Sequence, residues 1–114
     1  GVDAEWKICD IPGVSWTGQP VLLRSYLPAW EIPEDSRLVQ KAKEACRIVF
    51  DKPYDAVKLV YTTDAVATAG ELGIPTIVLG PGDSNCHAHG TDEYCPVEEL
   101  IRACEVYVQL CASL

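Results

Sequence analysis

The sequence predicts an α/β fold, with helices packed on a mixed or parallel sheet and a short β segment at the N-terminus. Three observations predict it. Apolar residues recur at i, i+3/i+4 and i+7 along two stretches, one after residue 36 and one after residue 96. Between them lie two short runs, 56–61 and 75–79, rich in β-branched and apolar residues. The order from residue 34 is therefore helix, strand, helix, strand, loop, helix, the alternation of a layered α/β domain.

Residues 4–11 and 21–26 alternate in part, and Pro12-Gly13 and Thr17-Gly18-Gln19-Pro20 read as turns between them. Glu34-Asp35-Ser36 offers an N-cap with acids beside the positive end of a helix dipole. Leu38, Val39, Ala42, Ala45, Cys46 and Val49 then form the apolar face of a helix of about four turns. Lys52-Pro53 stops it. Asp64 is placed to cap a short helix running to Leu72, and Gly73 supplies a left-handed exit. The 75–79 run is almost wholly apolar, as in strands covered on both faces. Pro96 at a first helical position, with Glu98 and Glu99 behind it, opens the last helix. Its expected buried stripe is Val97, Leu100, Ile101, Cys104, Val108 and Cys111. Two strands make a poor sheet, because a stable one usually needs three or more. A piece of a larger α/β domain is therefore expected, and Gly1 standing in place of an initiator Met, in a chain with no Met, points the same way.

Composition sets limits on function. The chain has 114 residues, so one domain at most, and 48% hydrophobic with 23% charged residues is ordinary globular composition. Nine basic against 17 acidic residues give a net charge of −8, with no basic stripe to meet a phosphate backbone, so no nucleic acid is expected as partner. The imbalance sits downstream: residues 59–114 hold one basic residue, Arg102, and eight acids. That fits either a solvated acidic face or a cleft built around cations. No apolar run approaches the ~18 residues of a membrane helix, and no basic-then-apolar leader opens the chain, so no membrane and a cytoplasmic location are expected. Cys46, Cys104 and Cys111 sit among apolar neighbours at helical spacing, where reduced, buried thiols are expected.

Chemistry concentrates in residues 80–94, the loop after the 75–79 run, which carries the chain's two histidines, His87 and His89. In open α/β sheets ligands bind beyond the carboxyl ends of strands. An imidazole there serves as metal ligand, general base or plain polar surface, and spacing alone does not choose. Cys86, His87, His89 and Cys95 together could form a structural zinc site, although they lack the usual paired spacing. A phosphate loop is disfavoured, because Gly80-Pro81-Gly82 precedes no Lys and opens no helix directly.

Five motifs occur in tight order: Thr62-Thr63-Asp64-Ala65; Leu72-Gly73-Ile74-Pro75-Thr76; Leu79-Gly80-Pro81-Gly82; Ala88-His89-Gly90-Thr91-Asp92-Glu93-Tyr94; and Val97-Glu98-Glu99-Leu100. Together these resemble the C-terminal end of the M20 metallopeptidases, the group holding acetylornithine deacetylase, succinyl-diaminopimelate desuccinylase, aminoacylase and carboxypeptidase G. The resemblance covers residues 26–114. It implies a phosphorylase/hydrolase-like zinc-peptidase catalytic domain, of which residues 26–114 are the C-terminal part. Residues 1–25 would then end a lid or dimerisation domain through which a homodimer could form. It also implies hydrolysis of the amide bond of N-acyl amino acids or small peptides with two zinc ions. By resemblance His89, and not His87, is a zinc ligand, and Thr62 and Thr63 line the substrate pocket. Thr63 stands open between pocket and helix cap, and for Asp64 the cap is favoured over the pocket. Val66, Tyr61 and Gly90-Thr91 depart from the family pattern and put the substrate in question. The family's other zinc ligands and its general base have no match here, so no catalytic residue is assigned and the 114-residue piece is expected to be inactive alone. The alternative is a stand-alone acidic α/β binding or interaction module without catalysis.

Overall fold

The computed structural model describes residues 1–82 and 88–114. Two strands form first: β1, Asp10–Val14, and β2, Pro20–Arg24, pair antiparallel with Asp10 opposite Arg24 and Val14 opposite Pro20. The turn between them is closed by Ser15 N–H to the Gln19 carbonyl at 2.8 Å and Gly18 N–H to the Ser15 carbonyl at 2.9 Å. Gly18 takes φ +82°, a conformation open to glycine at no steric cost. Only the second of the two expected turns is one. Pro12-Gly13 lies inside β1, where a two-stranded sheet tolerates Pro because every strand is an edge.

The first long helix, α1, spans Arg37–Phe50. Ser36 caps it, its Oγ accepting the Val39 N–H, and Asp51 ends it in a left-handed conformation just before Lys52-Pro53. The second, α2, spans Val97–Ser113, with Pro96 as its N-cap and Glu98 and Glu99 in its first turn. The Arg37 guanidinium donates to the Leu114 carbonyl, placing the start of α1 beside the end of α2. Ala42, Ala45 and Cys46 of α1 meet Val106 and Leu110 of α2 in the buried cluster, with Val49, Phe50, Tyr54, Ile77 and Leu79 packed around it.

That contact corrects the expected stripe on α2. Val97, Leu100, Ile101, Cys104, Val108 and Cys111 are exposed, and Val106 and Leu110 are buried instead. Helix α2 carries two apolar faces, and the one holding Val106 and Leu110 fits the small side chains Ala42 and Ala45. Cys46 is buried as expected, but Cys104 and Cys111 are not, and all five cysteines among the described residues are free thiols.

The expected mixed or parallel sheet is not present among the described residues, whose single sheet is the β1–β2 hairpin. A strand needs a facing row of N–H and C=O groups, and the 56–61 and 75–79 runs find none. They run as irregular segments, with Ile77 and Leu79 dipping into the core while Val57 and Val60 stay in solvent. The short helix also differs from expectation. It is a single π-helical turn, Val66–Glu71, in which the Leu72 N–H reaches back five residues to the Ala67 carbonyl. Gly73, at φ +67°, ends it as expected, its N–H donating to the Ala69 carbonyl at 3.2 Å. The result is a mixed α/β chain with an open surface. Its accessible area is 9380 Å², against about 6,200 Å² for a compact monomer of this mass. Its radius of gyration is 18.8 Å, against about 13 Å for a compact domain near this length.

Candidate functional site

Residues 27–32, 54–63 and 76–79 wall a cavity of about 650 Å³, and the inner face of α1 contributes Val39, Ala42, Lys43 and Cys46. The walls are tied across. Lys58 pairs with Glu31 at 2.9 Å, and Lys43 at the α1 edge pairs with Glu34 at 2.9 Å and Asp55 at 3.5 Å. Hydrogen bonding to Glu34 raises the Lys43 pKa above its ordinary value, so this ammonium stays charged. The π-helical turn props the same wall. Gly70 lies against Pro28 so closely that an added Cβ would come within 3.0 Å of the proline carbonyl oxygen, and Thr76 Oγ1 lies 3.1 Å from Thr68 Oγ1.

Thr62 and Thr63 both line this cavity. Their hydroxyls are differently placed. Thr63 Oγ1 accepts the Ala65 N–H at 3.2 Å and its carbonyl accepts the Val66 N–H at 3.1 Å, so Thr63 shapes the entry to the π-helical turn. Thr62 is exposed, and its hydroxyl makes no hydrogen bond among the described residues. No hydrogen bond from the Asp64 side chain caps the turn; the side-chain oxygen at its entry is that of Thr63, one residue earlier, which accepts the Ala65 N–H.

The second cluster is the loop after residue 79. Helix α2 grips its stem twice: the Tyr107 hydroxyl donates to the Leu79 carbonyl at 2.8 Å, and the Gly82 N–H donates to Glu99 Oε2 at 2.8 Å. Glu99 therefore does more than balance the helix dipole. Gly82 sits at φ +90°, with Cys95 Sγ 3.9 Å from the position of a Cβ built on it. His89 is exposed, holds φ +60°, and donates its backbone N–H to Glu93 Oε2 at 3.2 Å. Two members of the four-residue zinc set, Cys86 and His87, lie outside the described residues. Among the described residues no three His, Cys, Asp or Glu side chains come together to hold a metal.

The structure thus keeps the sequence-predicted residues in two places. Thr62 and Thr63 lie on the cavity, whereas His89 is not among its lining residues. Lys43 and Tyr107 escape sequence reading, and Glu93 and Glu99 appear in it only as motif or helix-end residues, without the contacts they make. Each is an ordinary helix or loop residue in the linear pattern, and only the contact it makes singles it out. The cavity can offer a hydroxyl and a cation already paired with two carboxylates, and the loop can offer an exposed imidazole on a fixed backbone.

Hairpin, helices, the cavity walled by residues 27–32, 54–63 and 76–79, and the exposed His89 together make a mixed α/β chain. The model of peptidase family M20/M25/M40 matches residues 17–113, and the chain belongs to that family. It is similar to two relatives, each called uncharacterized protein YgeY, from Escherichia coli strain K12 and from Escherichia coli O157:H7. Each is 30% identical over 96 residues, 84% of this chain and 24% of the relative. The chain spans about a quarter of the length of these curated relatives. No solved structure matches it. No helix among the described residues is long and apolar enough to cross a membrane.

Proposed function

We propose that this chain is the C-terminal portion of a zinc-dependent amidohydrolase that cleaves the amide bond of N-acyl amino acids or small peptides. In this reading residues 26–114 belong to the catalytic domain and residues 1–25, with the hairpin, to a lid through which the protein pairs with a second copy. The observation that carries it is the family match over residues 17–113, which contains all five ordered motifs. The open surface supports it as well. Unladdered segments around the cavity and an exposed apolar face on α2 are what a chain completed by further strands and helices would present.

A catalytic zinc takes three protein ligands and keeps one position for water. The donor chemistry of His89 suits one of those ligands, but the described residues bring no group of three together, so the site would be shared with residues elsewhere. Zinc in such hydrolases polarises the amide carbonyl and activates water. This chain's own part is to present the His89 imidazole and to offer the Thr62 hydroxyl to a substrate carboxylate or carbonyl. Thr63 acts at one remove, by holding the entry to the π-helical turn that follows Thr62. Alone, the chain is expected to be inactive.

The test is zinc titration and an N-acetyl amino acid assay on the metal-loaded chain at low and moderate salt. No tight stoichiometric zinc and no turnover above a His89→Ala control are expected. Tight zinc together with turnover would overturn the shared-site reading. In the full-length gene product, His89→Ala should remove one zinc and abolish amide hydrolysis, and His87→Ala should leave both nearly intact.

A further inference from the structure

We infer that Glu93 is a positioning residue for His89, acting through the histidine's backbone rather than its ring. Among the described residues His89 is one of three non-glycine residues at positive φ, and Asp92, in the same short loop, is another. Left-handed φ crowds Cβ against the neighbouring carbonyl, so a residue with a bulky side chain stays there only when its surroundings hold it. The Glu93 carboxylate is such a hold. Its Oε2 accepts the His89 N–H at 3.2 Å, closing a turn of five residues through a side-chain oxygen. An ionised acceptor makes that bond stronger than its neutral counterpart.

The consequence lies in direction. The course of the Cα–Cβ bond follows from the backbone conformation, so a hydrogen bond that holds the His89 N–H also constrains where its imidazole starts. Described contacts secure both sides of the loop. Upstream, Tyr107 and Glu99 hold Leu79 and Gly82 onto α2, and downstream the chain enters α2 through Pro96. Within the described part of the loop, Glu93 is the group that bonds to the His89 backbone. A histidine used only as polar surface would gain nothing from this hold. A histidine that must meet a metal shared with other segments would, because affinity depends on ligands already in position.

The inference rests on the reading of His89 as a zinc ligand, and the experiment separates the two. In the full-length gene product, Glu93→Ala, Glu93→Gln and His89→Ala are compared by zinc competition with a chelator and by amide hydrogen exchange of peptide 88–94. Glu93→Ala should weaken one zinc by roughly 10–100-fold, the usual effect of losing a group that orients a ligand, and should speed exchange at His89. Glu93→Gln keeps an acceptor oxygen without the charge and should restore most of both. Because the glutamine is near-isosteric and the loop exposed, it keeps the idea open to refutation should the alanine variant fail to fold. Unchanged zinc affinity and exchange in Glu93→Ala would overturn it. So would a Glu93→Gln protein with slow exchange but zinc as weak as the alanine variant, because the carboxylate would then act by its charge. If His89→Ala keeps its full zinc, the ligand reading fails, and exchange alone decides whether Glu93 holds the turn.

Discussion

Val106→Ala and Val108→Ala, two residues apart on one helix, decide which face of α2 is the core face. Val106 is 2% exposed against α1, and Val108 is 67% exposed. Truncating Val106 removes apolar groups worth about 0.8 kcal/mol for each buried carbon, and incomplete collapse of the cavity adds to that, giving a loss of about 2 kcal/mol. Val108 buries a third of its surface, so its truncation removes only about 0.5 kcal/mol, and the better helix propensity of Ala returns about as much. The same propensity gain applies to Val106→Ala, so the two variants should differ by about 1.5 kcal/mol, roughly tenfold in the folding constant. In urea, with a slope of about 1–2 kcal/mol per molar, the Val106→Ala midpoint should fall by about 1 M while that of Val108→Ala stays near the parent. Far-UV circular dichroism reads both, because helix dominates the signal. Equal losses, or a larger one for Val108→Ala, would refute the packing of α2 on α1 through Val106 and Leu110.

Two further outcomes follow from the same contacts. Gly70→Ala should destabilise by about 1–2 kcal/mol, because the Pro28 carbonyl oxygen cannot yield as a side chain would; a higher melting temperature, as helix propensity alone would give, would count against the close approach. A thiol reagent at neutral pH should modify exposed Cys104 and Cys111 quickly and Cys46 slowly, since burial pushes the Cys46 thiol up. Because the folded thiol titrates above the unfolded one, its stabilising share is complete below about pH 8.5 and is lost as pH rises through the folded value. Urea midpoints should therefore decline across that alkaline range in the parent and less so in Cys46→Ala, and a parallel decline in both would show that Cys46 is not responsible.

Local signals were legible wherever the cause is local. Ser36, the α1 apolar face and the Lys52-Pro53 stop lie within a few residues of what they control, so the ends of α1 emerge from the sequence almost to the residue. The Gly73 exit from the π-helical turn follows from φ alone, and the hairpin turn at Gly18 does too. Family membership was also written in the chain, because five motifs in order survive even where the structure around them is open. The stripe on α2 was not decidable in this way. Val97, Ile101, Cys104, Val108 and Cys111 make as good a helical face as Val106 and Leu110, and periodicity ranks neither. The presence of Ala42 and Ala45 on the partner helix selects the second face, and that partner lies some sixty residues away in sequence.

The 56–61 and 75–79 runs show the same division from the other side. Their β propensity is a property of side chains, but a strand exists only when another backbone supplies its hydrogen bonds, and the described residues supply none. The candidate site divides likewise. Thr62, Thr63 and His89 could be picked by residue type and motif, whereas the left-handed backbone of His89, the grip of Glu99 and Tyr107 on the loop stem, and the cavity floor on α1 required coordinates. Sequence by itself determined what depends on neighbours within a turn or two of the chain. Tertiary structure decided everything that depends on which distant group arrives, because burial, ladder pairing and backbone strain are energies of contact between segments that the linear pattern does not bring together.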